Sequence, residues 1–348
     1  MQSIGALSAG AQVARVPDWN ARPWQVLYLR TQGIGDVILA TGVFRAIVRS
    51  HSTISLDVVT TRAAAPVLEN NPHVRRVITT GKGVAESVAL ASEMRRAKYD
   101  VVIDGKITRG ASFVRSPALT MISRAPYRIG VGGGNHHLVF NICVPRYDRT
   151  KTHMVQGSAA LAEPFGVDLE STSFQPEIFL SSEECTAALR SWEAAARVRS
   201  TNGTRWLANM SAGAPVRRWP DERWIALLSH LRAQQPHATI AVMGVEAERE
   251  SVQRVALASG VAAVSAPRLR DALALVGTSE RVITSNTSIT HAASAFRVPM
   301  VLLLERGEDQ WGSWCTPSEV AYWLGSSVAS LDVETARAAL DRLLASHP

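Results

Sequence analysis

A continuous apolar run, Val26-Leu27-Tyr28-Leu29, leads into the turn Gly33-Ile34-Gly35-Asp36 and then into apolar residues at helical spacing: Val37, Ile38, Ala40, Val43, Phe44 and Ile47. A short unbroken apolar run marks a strand buried on both faces, as in a parallel sheet. The glycines permit a tight turn, and the periodic series behind them predicts a helix. Strand, glycine turn and helix in succession commit the chain to an α/β architecture, because parallel strands need helical crossovers. Asp36 stands at the helix start, where a carboxylate caps free amides and meets the positive end of the helix dipole. The same spot is the carboxyl end of a strand, where ligands bind in open α/β sheets. Cap and ligand-facing acid are both open at this point.

The rhythm continues along the first half, with strands expected at 54–59, 74–79 and 100–104 and helices at 62–70, 84–96 and 112–123. Between about 125 and 152 the pattern loosens around a flexible glycine loop, residues 130–137, read as a connection or as a mobile wall of a cleft. A helix at 152–165 and a linker at 166–174 follow. The second half restarts the alternation, with strands at 205–209, 239–243, 261–264, 281–284 and 299–304. Its helices are expected at 182–199, 221–233, 246–258, 269–276, 288–296 and 333–344. The chain thus divides into a loose tail (1–24), a first α/β half (25–170) and a second (171–348).

A chain of 348 residues is long for one core and comfortable for two. No apolar run approaches the ~20 residues that span a bilayer. The N-terminus lacks a basic start followed by an apolar core, so no signal peptide is read. Cys143, Cys185 and Cys315 are far apart and lack metal-ligand spacing, which fits buried thiols in a reducing compartment. The net charge of +7 favours an anionic partner, but the basic residues are dispersed and form no block. Nucleic-acid binding therefore has only net charge behind it.

Three loops of the second half follow strands and precede helices. In Asn209–Pro220, small residues let backbone amides approach a ligand, and Arg217 and Arg218 either add the positive charge a phosphate site requires or are surface charge beside a helix start. In the second loop, Glu246 or Glu248, just after Gly244, can bind ribose hydroxyls or simply begin a helix. In the third, Asn286-Thr287-Ser288 offers hydroxyls and free amides at a helix start, with His291 one turn on. Gly33-Ile34-Gly35-Asp36 is not a Gly-x-Gly-x-x-Gly fingerprint, which argues against a nucleotide-dependent oxidoreductase.

GIGDVILATGVFRAI, NMSAGAPVRRWPDERW and VITSNTSITHAASAFRVPMVLLL, in that order, resemble glycosyltransferase family 9, the ADP-heptose:lipopolysaccharide heptosyltransferases. Asp100 to Asp104, Arg128-Ile129-Gly130 and His153-Met154-Val155 add to a resemblance over roughly residues 25 to 305. It implies a GT-B fold, two Rossmann-like lobes with parallel sheets facing across a cleft, with the terminal helix packing back on the first lobe. It implies inverting transfer of a sugar, heptose first, from a nucleotide donor such as ADP-heptose to a hydroxyl of a lipopolysaccharide-like glycan. No metal and no other cofactor is obligatory in this scheme.

By that resemblance Asp36, in its loop with Gly33 and Gly35, is the general base. Ser211, Ala212, Arg217, Thr287, Ser288 and His291 bind the donor and its phosphates, beside Asn286, and Glu246 or Glu248 holds the ribose. An anionic glycolipid or polysaccharide acceptor and a cytoplasmic enzyme, peripheral at the inner membrane face, are expected with it. Three departures stand out. Asn286-Thr287-Ser288 replaces the usual Asp-Thr-Gly, Met210 replaces the Pro of Asn-Pro-Gly, and residues 304–310 replace Tyr-Gly-Pro-Thr. Sugar-nucleotide epimerisation on the same fold and non-catalytic sugar-nucleotide binding are the alternatives.

Overall fold

A computed structural model describes residues 15–81, 83–107, 115–133, 137–148, 150–199 and 201–347. The first sheet carries β1 (Trp24–Leu29), β2 (Ile54–Thr61), β3 (Arg76–Thr80), β4 (Val101–Asp104), β5 (Tyr127–Val131) and β6 (Ile142–Val144). All pairs are parallel, in the order β3-β2-β1-β4-β5-β6. The second sheet carries β7 (Arg205–Asn209), β8 (Thr239–Met243), β9 (Ala262–Ala263), β10 (Arg281–Ser285), β11 (Met300–Glu305) and β12 (Ser318–Trp323). Its order, β12-β11-β10-β7-β8-β9, repeats the same doubly wound plan. In each sheet the strand order reverses beside the first strand, between β1 and β4 and between β7 and β10. Ligands of open α/β sheets bind outside the carboxyl ends at such points.

Register brings Leu29 beside Asp104 in the first lobe and Asn209 beside Thr284 in the second. Helix α1 (Ile34–Ser50) buries Val37, Ile38, Val43, Phe44 and Ile47 completely. At Gly42 an added Cβ would stand 2.4 Å from the Phe174 carbonyl, so only glycine lets α1 lie on the backbone of the interlobe segment. The same apolar cluster runs from Val26 and Phe44 of the first lobe to Leu273, Ala292 and Leu302 of the second. The lobes therefore share a core along α1 and α9 (Ser288–Phe296), and the cleft opens at one end of that seam.

Several expectations change. Tyr127–Val131 and Ile142–Val144 are strands, so Gly130 and Val131 belong to the sheet, while residues 134–136 of the expected loop lie outside the described residues. Gly130 fits there because Phe140 fills the place of its side chain, 2.6 Å from an added Cβ. The expected helix at 62–70 is one 3-10 turn, Ala65–Leu68, with Pro66 near its start. The helix expected from residue 112 is α3, Arg115–Ser123, and residues 112–114 lie outside the described residues. Strand β12 was not foreseen.

Residues 1–14 of the tail lie outside the described residues, but Trp19 is buried. It stacks 4.5 Å from the Phe165 ring and donates its indole N–H to the Pro164 carbonyl at 2.8 Å, so the segment before β1 is docked. The terminal helix α10 (Val333–Ser346) buries Ala336, Leu340 and Leu343 against the second lobe, with Trp206, Trp219 and Trp224 in the same cluster. It does not return to the first lobe. Cys315 is exposed rather than buried, and Cys143 and Cys185 are half-buried.

Candidate active site

The turn after β1 ends on Gly33, the cap of α1, which puts Asp36 at the third helical position. The Asp36 carboxylate folds back, and Oδ2 accepts the Gly33 N–H at 3.1 Å. Oδ1 accepts from Arg30 Nη2 at 2.9 Å, and Arg30 Nε donates to the Asp36 carbonyl at 3.0 Å. The remaining arm of Arg30 donates to the Gly105 carbonyl beyond β4. The Arg30 side chain is 1% exposed and that of Asp36 23%, so a buried guanidinium grips a carboxylate whose outer edge faces the cleft. Capping and solvent-facing acid coexist, because each oxygen keeps a second lone pair.

Across the cleft the second lobe contributes five segments. Ser211 and Ala212 line the wall after β7. The Ser211 hydroxyl accepts the Val245 N–H and donates to Glu248, both at 2.7 Å, so this side chain braces its loop. Arg217, at the end of a 3-10 turn, lines the cleft and is steered by one bond to the Asn286 carbonyl at 3.1 Å. Arg218 does not join it; its guanidinium lies 3.9 Å from Glu248. Thr287 caps α9 by accepting the Ile289 N–H at 3.2 Å, and Asn286, Thr287 and Ser288 all line the cleft.

The spacing left Glu246 and Glu248 undecided, and the structure separates them. Glu246 stands on the cleft wall, paired with Arg249 at 2.8 Å. Glu248 is buried and tied to Ser211, so it shapes the loop and does not line the cleft. Met243, Ala266, Leu269 and Ala272 form an apolar end.

His291 is 5% exposed and packs against the turn of the first lobe, its Cδ2 2.4 Å from where a Cβ on Gly35 would be. Gly35 is thus required by the lobe contact. Burial, and then repulsion from His153 when that ring is protonated and from the Arg217 guanidinium, push the imidazole pKa down to about 3. A neutral ring can hydrogen-bond a ligand but adds no charge toward a phosphate at neutral pH. His291 can thus serve a phosphate as a neutral hydrogen-bond donor and not as a charge.

Sequence reasoning missed Arg30 and Trp311. Arg30 carried only the faint signal of a cation ending an apolar run. Trp311, in the segment after β11, lines the cleft with its ring centroid 6.5 Å from that of His291. The cleft encloses about 660 Å³, within the range of small-ligand sites. A carboxylate on one lobe thus faces an arginine and a hydroxyl-capped helix start on the other.

The family model described as Glycosyltransferase family 9 (heptosyltransferase) matches residues 87–315, a span that omits the Asp36 turn. No curated protein matches the chain in sequence. Among solved structures, the family 9 glycosyltransferase of Veillonella parvula is 18% identical, with 94% of this chain and 98% of that one covered and a TM-score of 0.78. E. coli ADP-heptose lps heptosyltransferase II is 16% identical, covering 92% and 99%, at 0.71. E. coli heptosyltransferase WaaC with ADP is 18% identical, covering 92% and 99%, at 0.72. These likenesses give the fold, GT-B with two Rossmann-like lobes. With the match over more than half of its length, the chain belongs to glycosyltransferase family 9 (heptosyltransferase).

Proposed function

We propose that the protein moves a sugar, heptose first among candidates, from a nucleotide donor such as ADP-heptose onto a hydroxyl of a lipopolysaccharide-like cell-envelope glycan, with inversion. The observation that carries this reading is the opposition of Asp36 to Arg217, Thr287 and Ser288 across one cleft. In this scheme the acceptor O–H gives its proton to Asp36 as its oxygen bonds to the anomeric carbon. The bond from that carbon to the diphosphate breaks on the opposite face, and the nucleoside diphosphate leaves with the electron pair. Arg217 and the amides at the start of α9 meet its growing charge. No metal is obligatory for that role. Glu246 takes the ribose hydroxyls, and the apolar end around Met243 and Leu269 takes the base.

The donor assignment draws on the relatives solved with ADP and with ADP-2-deoxy-2-fluoro heptose. The +7 charge suits both a diphosphate donor and an anionic glycolipid acceptor at the inner face of the cytoplasmic membrane. No described helix is long and apolar enough to cross a membrane, so association there is peripheral in this reading. Thermal unfolding with ADP, UDP, GDP or CMP tests the donor base. A nucleotide at ~100 times its dissociation constant stabilises by about 2.7 kcal/mol. ADP is expected to give the largest shift, followed by turnover of ADP-heptose. No shift with any nucleotide, or a preference for UDP or CMP, contradicts the reading.

A further inference from the structure

The segment after β11 brings Trp311 to the wall of the cleft. That segment is tied down on several sides. The Tyr322 hydroxyl donates to Asp309, and the Trp314 N–H donates to Ser294 Oγ at 3.0 Å. His153, from the start of α4 (Met154–Ala159) in the other lobe, accepts the Val155 N–H on Nδ1 at 3.2 Å. Its proton therefore sits on Nε2, which donates to the Gly312 carbonyl at 3.2 Å, and its ring stacks on Trp314 at 4.8 Å. Burial keeps that imidazole neutral by lowering its pKa. Trp311 is thus a half-buried residue in a segment that is held from both lobes.

The chemistry of displacement says what it faces, given the donor reading above, on which this inference rests. Attacking oxygen, anomeric carbon and leaving oxygen lie roughly in line, so the transferred sugar sits between Asp36 and the Arg217–Ser288 wall. Gly33, Ile34, Gly35, His291 and Trp311 border that gap. The glycines have no side chain, Ile34 is aliphatic with no aromatic face, and His291 is buried with its Cδ2 edge against Gly35. Trp311 offers the broad rigid face. An indole face carries partial negative charge, and the C–H face of a sugar ring carries partial positive charge, so the two stack. We infer that Trp311 is a specificity-determining residue that stacks on the transferred sugar and not on the nucleotide.

Calorimetric titration of the full chain with ADP and with ADP-heptose tests this in wild type, W311F and W311L. ADP affinity is expected to stay within about twofold throughout, whereas W311L loses about tenfold toward ADP-heptose and W311F far less. Equal losses toward both ligands in W311L, or no loss toward either, overturn the inference. If W311L does not fold, indole fluorescence decides. Wild type minus W311F should respond to ADP-heptose and not to ADP, and a difference spectrum blind to the sugar overturns the inference. Wild type that binds neither ligand refutes the donor reading as well, which separates the two failures.

Discussion

Two helix starts face each other across the cleft, built from one backbone device and finished in opposite ways. The start of α1 is closed by its own chain: Asp36 folds onto Gly33, and Arg30 grips it from beneath. The start of α9 is closed by neutral hydroxyls, Thr287 accepting the Ile289 N–H and Thr290 the Thr287 N–H, with Arg217 bound to the carbonyl just before it. Both helices carry a positive N-terminal end. In α1 that end is neutralised by a carboxylate, and in α9 it stays available to an anion. One side chain at the cap turns the same helix dipole into a seat for a base or a seat for a phosphate.

Exchanging that difference should have the largest effect. Asp36→Asn keeps a cap acceptor but cannot take a proton, so transfer should fall ~10²- to 10⁴-fold while ADP affinity changes by less than about threefold. Initial rates beside ADP titration check it; undiminished turnover would remove Asp36 as the base.

The contact between the two starts should come next. His291, held neutral with its pKa at about 3, refuses a proton that the unfolded chain accepts near 6.5. Its contribution is therefore whole above about pH 6.5 and shrinks as pH falls toward 3, by about 2 kcal/mol at pH 5. Unfolding midpoints followed from pH 7 to 5 should drop more steeply in wild type than in His291→Asn, and parallel curves would speak against it.

The smallest expected effect is on the open helix start. Arg217→Ala should weaken ADP about tenfold, the worth of one charge-assisted bond to phosphate. Unchanged ADP affinity would take Arg217 out of the anion seat and leave the comparison resting on α9 alone.

Elements whose pattern is local were legible in the chain. β1, α1, α5 (Ser182–Arg199), β10 and α9 were all readable because buried parallel strands are continuous apolar runs and long helices repeat their apolar positions. β6 spans three residues and β12 lies half-buried at a sheet edge, so neither offers such a run. Asp36, Arg217, Thr287, Ser288 and Glu246 were named from their loops, and all line one cleft. Arg30 and Trp311 were not, since a cation after a strand and a tryptophan in a long connection are ordinary in sequence.

The sequence by itself determined two α/β halves and which turns join a strand to a helix, because strand burial, glycine turns and helix starts are written in neighbouring residues. The tertiary structure decided what the charges at those turns do. It set Arg30 under Asp36 and His291 on Gly35, turned Glu248 inward and Glu246 outward, and sent α10 to the second lobe. Those outcomes depend on which groups meet across the fold and lose water there, and contact between residues far apart in the chain leaves no trace in its local pattern.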